Sequence, residues 1–343
     1  MKYSFKNDYS EGAHPKLLEA LQLAGSKQNE GYGNDVHCKN ATDRIRRETG
    51  RMDIDVHFLE GGTQANLTAM TAFLRPHEAA IAADTGHIAG HESGSIEATG
   101  HKVCTAPGKE GKLTPEAITG VLAAHPDEHM VKPKLVYLSD STELGTVYSK
   151  AELQALSVCC KEHDLYLFLD GARLGCALCA SDLTLTDIAA QTDAFYIGGT
   201  KNGALFGEAL VICNDALKPD FRYILKQRGG MLAKGLALGA QFEALFTDGL
   251  YYTLAEHANQ TAELLKDGFR AEGLPFLADS PTNQLFPILP NALIESLARD
   301  YAFEVREAVD ADHTAIRLVT SWATPEGAAR EFVRDLHLHV QAL

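Results

Sequence analysis

The sequence predicts an α/β protein: a mostly parallel sheet flanked by helices, followed by a smaller α+β domain. Three observations lead there. Short, nearly all-apolar runs alternate with helical patterns over the first two thirds of the 343 residues. Strands apolar on both faces, joined by helical crossovers, belong to parallel sheets covered on both sides. The character then changes near Gly229, where a long helical region begins and later strand candidates cluster.

In chain order, Val56-His-Phe-Leu59 is the first strand candidate. It meets Gly61-Gly62-Thr63 and a helix with Leu67, Met70, Phe73 and Leu74 on one face. Ala79 to Ala83 and Lys102 to Thr105 are short buried runs. Thr114 with Pro115 reads as an N-cap and a proline at the first helical position. Leu135 to Leu138 is a strand, and Ser149 with Glu152 forms a capping box before a helix carrying Leu153, Leu156 and Cys160. Leu165 to Leu169 is a strand ending at Asp170; Phe195 to Ile197 and Ala209 to Cys213 follow. The long helical region runs from about Met231 to Glu272 with a break at Asp248-Gly249. Beyond it lie strand candidates Gln284 to Ile288 and Ala315 to Val319, a helix around Ala292 to Arg299, and a closing helix from Thr324. These patterns divide the chain into a large domain, residues 1–250, and a small one, 251–343, with the first few dozen residues free to pack against either.

Composition narrows the function. The formal charge is −15 with no dense basic patch, which argues against nucleic acid as a partner. The N-terminus has no apolar core of a signal peptide, and no apolar run is long enough to span a bilayer. Seven scattered cysteines, an odd count, suit reduced thiols and a cytoplasmic protein better than a disulfide framework. Cys176-Ala-Leu-Cys179 has half of a zinc spacing but no matching second pair, so no metal is expected.

Three sites carry chemistry. Asp170 ends an apolar strand, where a carboxylate is costly to bury without partners. Lys201 follows Gly198-Gly-Thr at the end of another strand. Gly61-Gly62-Thr63 opens a helix directly after a strand. Each alone has a plain structural reading: a cap or a partner for Arg173, a solvated lysine, a tight turn. Together they meet the needs of pyridoxal phosphate: a lysine for its aldehyde, a carboxylate for its ring nitrogen, and a helix N-terminus with glycines for its phosphate. Thr63 and Thr200 add hydroxyl donors.

Glu60-Gly-Gly-Thr-Gln-Ala-Asn66, Gly86-His-Ile88, Phe168-Leu-Asp-Gly-Ala-Arg173, Gly198-Gly-Thr-Lys201 and Arg317-Leu-Val-Thr320 resemble, in order, the low-specificity threonine aldolase and aromatic amino acid β-eliminating lyase family. Gly31-Tyr-Gly-Asn-Asp35 resembles that group's early Tyr-Gly-x-Asp element. The resemblance, from about Asn7 to Trp322, implies fold type I of the pyridoxal phosphate enzymes, the aspartate aminotransferase superfamily. It implies that Lys201 is the Schiff-base lysine and that Asp170 pairs with the pyridine nitrogen. His87 would stack on the ring and is a candidate base, while Gly62, Thr63 and Thr200 would hold phosphate. Arg173 would lie beside the ring hydroxyl or the substrate carboxylate, and Arg317 would grip that carboxylate, with Asn7 or Ser10 nearby. A homodimer or homotetramer is implied, with Tyr32, Arg228 and Lys234 as candidates to reach a neighbouring subunit's site.

In Asp84-Thr-Gly-His-Ile-Ala-Gly-His91-Glu92, two histidines stand at metal-ligand spacing, but the order is not His-Glu-x-x-His, and His91 reads as satisfying its helix end. One departure bears on mechanism. Many threonine aldolases carry a histidine after the strand matching Leu135 to Leu138; this chain reads Ser139-Asp-Ser-Thr142-Glu143-Leu-Gly145. Glu143, His87 or a water takes that role. The activity expected is cleavage of threonine or allo-threonine to glycine and acetaldehyde. The alternatives are β-elimination from another amino acid, or an α/β binding or regulatory module without the cofactor.

Overall fold

A computed structural model describes residues 1–342. The strands are β1 (Tyr3–Ser4), β2 (Asp55–Leu59), β3 (Glu78–Ala83), β4 (Val103–Ala106), β5 (Lys132–Ser139), β6 (Tyr166–Asp170), β7 (Ala194–Gly198) and β8 (Glu208–Ile212). Five more follow: β9 (Gln284–Leu285), β10 (Ile288–Pro290), β11 (Tyr301–Ala302), β12 (Glu304–Ala308) and β13 (His313–Val319).

The central sheet has seven strands in the order β2-β8-β7-β6-β5-β3-β4. Only β8 runs against its neighbours β2 and β7; the remaining pairs are parallel. Residue alternation explains the unbroken apolar runs. Val136, Leu138, Leu167, Leu169, Phe195 and Ile197 join a core on one face. Leu135, Tyr137, Phe168, Ala194 and Tyr196 join a second core on the other. The mostly parallel architecture therefore agrees with the sequence.

In the C-terminal part, β13 is flanked by β10 and β12 and also pairs with β9, all antiparallel. β1 pairs with β11, and Phe5 packs among Leu265, Phe269, Leu318 and Phe332, so the first residues join this smaller core. The long helical region is two helices, Leu236–Leu245 and Leu250–Ala271, separated at Asp248-Gly249 as the pattern requires. The second helix spans both cores: Leu250, Tyr251 and Leu254 pack in the large one, Ala262, Leu265 and Phe269 in the small one. Among the described residues, no helix is long and apolar enough to cross a membrane.

Because β8 alone is reversed, the C-terminal ends of β2, β3, β5, β6 and β7 and the start of β8 share one edge of the sheet. Ligands of open α/β sheets collect there. Glu60, His87, Ser141, Asp170, Lys201 and Glu208 all stand at or just beyond that edge.

Candidate active site

That edge and the small sheet enclose a cleft of about 490 Å³. Gly62, Thr63, His87, Glu143, Asp170, Arg173, Thr200, Lys201 and Arg317 all line it. Segments far apart in the sequence thus meet at one place, as the motif reading requires.

Asp170 is the most elaborately held group. It shares its sheet face with Tyr137 and Tyr196, because Tyr137 pairs across strands with Phe168, two residues before it. The Tyr137 hydroxyl donates to Oδ2 at 2.5 Å, and Asn66 Nδ2 donates to the same oxygen at 3.0 Å. The Tyr196 hydroxyl and the Ala172 N–H donate to Oδ1. Burial, then the charge of Asp170, pushes both phenols well above their ordinary pKa, so they remain donors. Asp170 is not the partner of Arg173.

Gly62 is explained by the same cluster. A Cβ there would stand 2.8 Å from the Tyr196 hydroxyl that serves Asp170. The helix Gly62–Phe73 also has Gly61 at its N-cap, with no side chain accepting from its first turn. Its leading N–H groups are uncapped by any side chain, and a helix N-terminus favours an anion.

Lys201 is half-buried in the cleft wall. Burial, with the charge of Arg173 next, lowers its pKa, while Asp8, Asp170 and Glu208 oppose that shift. A depressed lysine keeps more of its amine neutral and nucleophilic. A half-buried lysine, a carboxylate and an open helix N-terminus in one cleft are the groups that pyridoxal phosphate requires, so the residues present fit it.

His87 opens the short helix His87–Gly90, and its Nδ1 lies 2.7 Å from Glu92 Oε1. Glu92 also accepts from Asn66 and Ser95. Burial works against charging His87, but the Glu92 bond and the Asp170 charge prevail and raise its pKa. His91 ends that helix through its backbone N–H to His87 O, yet its ring also lines the cleft, 5.7 Å from the His87 ring. Among the described residues, no cluster of His, Cys, Asp and Glu is grouped to hold a metal, and Cys176 and Cys179 are free thiols.

The arginines are both engaged. Arg173 donates from Nε and Nη2 to the two oxygens of buried Asp8, at 2.7 and 3.1 Å, and Asn283 joins Asp8 at 2.9 Å. Arg317 Nη2 meets Glu304 at 2.6 Å, its cross-strand neighbour, while its Nε is buried without a partner. Asn7 and Ser10 bond to each other in a turn and do not line the cleft; Asp8 and Tyr9 between them are the residues that matter. Nothing in the residue pattern distinguishes Asp8 from these neighbours, because its partners come from distant segments.

Glu208 is a further missed residue. It is buried in the cleft wall, accepts from the Gly199 N–H at 3.0 Å, and is pushed up to about 8 chiefly by burial. Its sequence signal is a lone acid opening an apolar strand. Tyr32, Arg228 and Lys234 do not line this cleft in their own chain; Tyr32 lines a separate cavity with Arg222 and His57.

The profile of the β-eliminating lyase family matches residues 10–291. A low-specificity L-threonine aldolase from Pseudomonas sp. is 33% identical, with 98% of each chain covered. The chain belongs to the β-eliminating lyase family. The solved structure of a Leishmania major threonine aldolase superposes with a TM-score of 0.97 at 52% identity, covering 98% of this chain and 99% of that one. A Thermus thermophilus aspartate aminotransferase, 19% identical, superposes with a TM-score of 0.73 over 98% of this chain and 91% of its own, a likeness of fold. This lyase therefore has the aspartate aminotransferase fold, type I of the pyridoxal phosphate enzymes.

Proposed function

We propose that the protein cleaves threonine or allo-threonine to glycine and acetaldehyde, with pyridoxal phosphate held by Lys201, Asp170 and the Gly62–Thr63 helix start. The observation that carries this reading is the meeting of Lys201, Asp170 and Arg317 in one cleft. The aldolases of Pseudomonas and Leishmania support the choice of substrate.

The bound cofactor supplies an electron sink for the pair released when the Cα–Cβ bond breaks. The protein's residues do the rest. Lys201 presents a partly neutral amine to the aldehyde. Asp170, held by Tyr137, Tyr196 and Asn66, would be the partner of the ring nitrogen, and a carboxylate there would favour a protonated ring. Arg317 binds the substrate carboxylate, using the Nε–H that has no partner within the chain. Fixing the carboxylate sets which bond to Cα stands perpendicular to the ring. His87, with Glu92 fixing its Nδ1, would pack on the ring.

We place the enzyme in the cytoplasm, on its seven free cysteines. We also propose a homodimer or homotetramer in which Tyr32, Arg228 and Lys234 reach a neighbouring site. Incubating the protein with L-threonine and L-allo-threonine, and identifying products by chromatography, tests the reaction. Equal amounts of glycine and acetaldehyde are expected. An α-keto acid with ammonia would mean β-elimination, and no product with any amino acid would mean a binding module.

A further inference from the structure

The loop after β5 supplies the cleft with polar atoms that have no partner in the chain: Ser141 Oγ and Glu143 Oε2, with Gln284 Oε1 beside them. Glu143 is the telling one. Ser139 Oγ donates to its Oε1 at 2.9 Å and fixes the carboxyl, while Oε2 is buried and unsatisfied. A buried carboxylate oxygen without a donor is costly, and a ligand hydroxyl in the cleft would satisfy it.

The loop is also braced by hydrogen bonds. Thr142 and Thr146 close on each other, Gln284 Nε2 donates to Thr142 O, and Ser280 and Thr282 both donate to Gly145 O at 3.0 Å. Such bracing holds a reactive group ready. Two rival bases are engaged at one atom each. His87 commits Nδ1 to Glu92, and although burial opposes it, that bond and the Asp170 charge raise its pKa. Glu208 Oε2 serves Gly199.

We propose that Glu143 is a catalytic base that removes the β-hydroxyl proton of the amino acid substrate through Oε2. This rests on the cleavage reading above. The O–H bond breaks and its electron pair forms the aldehyde C=O. The Cα–Cβ pair stays with the Cα fragment, and the proton lost from oxygen is balanced by one returned to Cα, so no oxidant or reductant is needed. Burial first, and then the charge of Asp170, raises the Glu143 pKa, which strengthens it as a base.

Glycine has no β-hydroxyl, so exchange of its Cα proton with D₂O needs the same cofactor and arginines but not this base. In holoenzyme Glu143→Gln, kcat for threonine should fall by about 10²–10⁴-fold. Glycine exchange followed by NMR, and the visible spectrum with bound glycine, should stay within about threefold of the parent. Threonine cleavage at near-parental rate would overturn the proposal, as would equal loss of both reactions. Ser139→Ala keeps the carboxyl but removes the bond that aims it. If Glu143→Gln does not fold, this variant should slow cleavage and spare glycine exchange, and equal effects on both would refute the role. Parental enzyme that yields no glycine from threonine would instead defeat the reaction itself.

Discussion

Asp8 shows how one residue can tie the molecule together. Its carboxylate accepts from Arg173, beyond the end of β6, and from Asn283, just before β9. The pair is almost wholly shielded from solvent, with side-chain exposures of 0% and 12%. Removing one member of such a pair strands a buried charge, so Asp8→Ala should lose about 3–5 kcal/mol of stability by denaturant titration. Burial alone would raise the Asp8 pKa, but the charges of Arg173 and then Lys201 win and lower it. A depressed carboxyl contributes stability that is fully present above its unfolded value of about 3.9 and is lost as pH falls through the folded value. Asp8→Asn should therefore flatten the acid side of the stability profile below about pH 4. An unchanged profile would show that the pair carries no net stability.

The loop from Ser139 to Thr146 makes the corresponding point for an element. Gly145 has φ of +75°, and a Cβ there would lie 2.3 Å from Ser280 Oγ and 2.9 Å from Gln284 O. Gly145→Ala combines left-handed strain with overpacking, each costing about 1–3 kcal/mol. It should lower the urea midpoint accordingly and loosen the wall that carries Glu143; a change below about 0.5 kcal/mol would show that the loop yields freely. The sequence reveals the elements around this loop unevenly. The central strands are legible because both their faces are apolar. β12 is not: it reads Glu-Val-Arg-Glu-Ala, and every residue keeps some solvent exposure. The predicted strand Gln284 to Ile288 is broken at Pro287 into β9 and β10, both paired with β13. The helix Pro15–Gly25 escapes pattern reading because a histidine ring caps it, and Val36–Thr49 because its buried stripe is only Cys38, Ala41, Ile45 and Thr49.

For the whole molecule, the sheet order does what local sequence cannot. It brings Gly62 after β2, His87 after β3, Glu143 after β5, Arg173 after β6 and Lys201 after β7 to one edge, with Arg317 of β13 facing them. The glycines, Asp170 and Lys201 are readable as motifs because their chemistry is local. Asp8, Glu208 and the Arg317–Glu304 pair become visible only once the sheets are assembled. This assembly should place Lys201 where it bonds the cofactor. Borohydride reduction of the protein loaded with pyridoxal phosphate, followed by peptide mass spectrometry, tests it most directly. The account predicts a phosphopyridoxyl group on Lys201; a tag on a different lysine, or none, would contradict it.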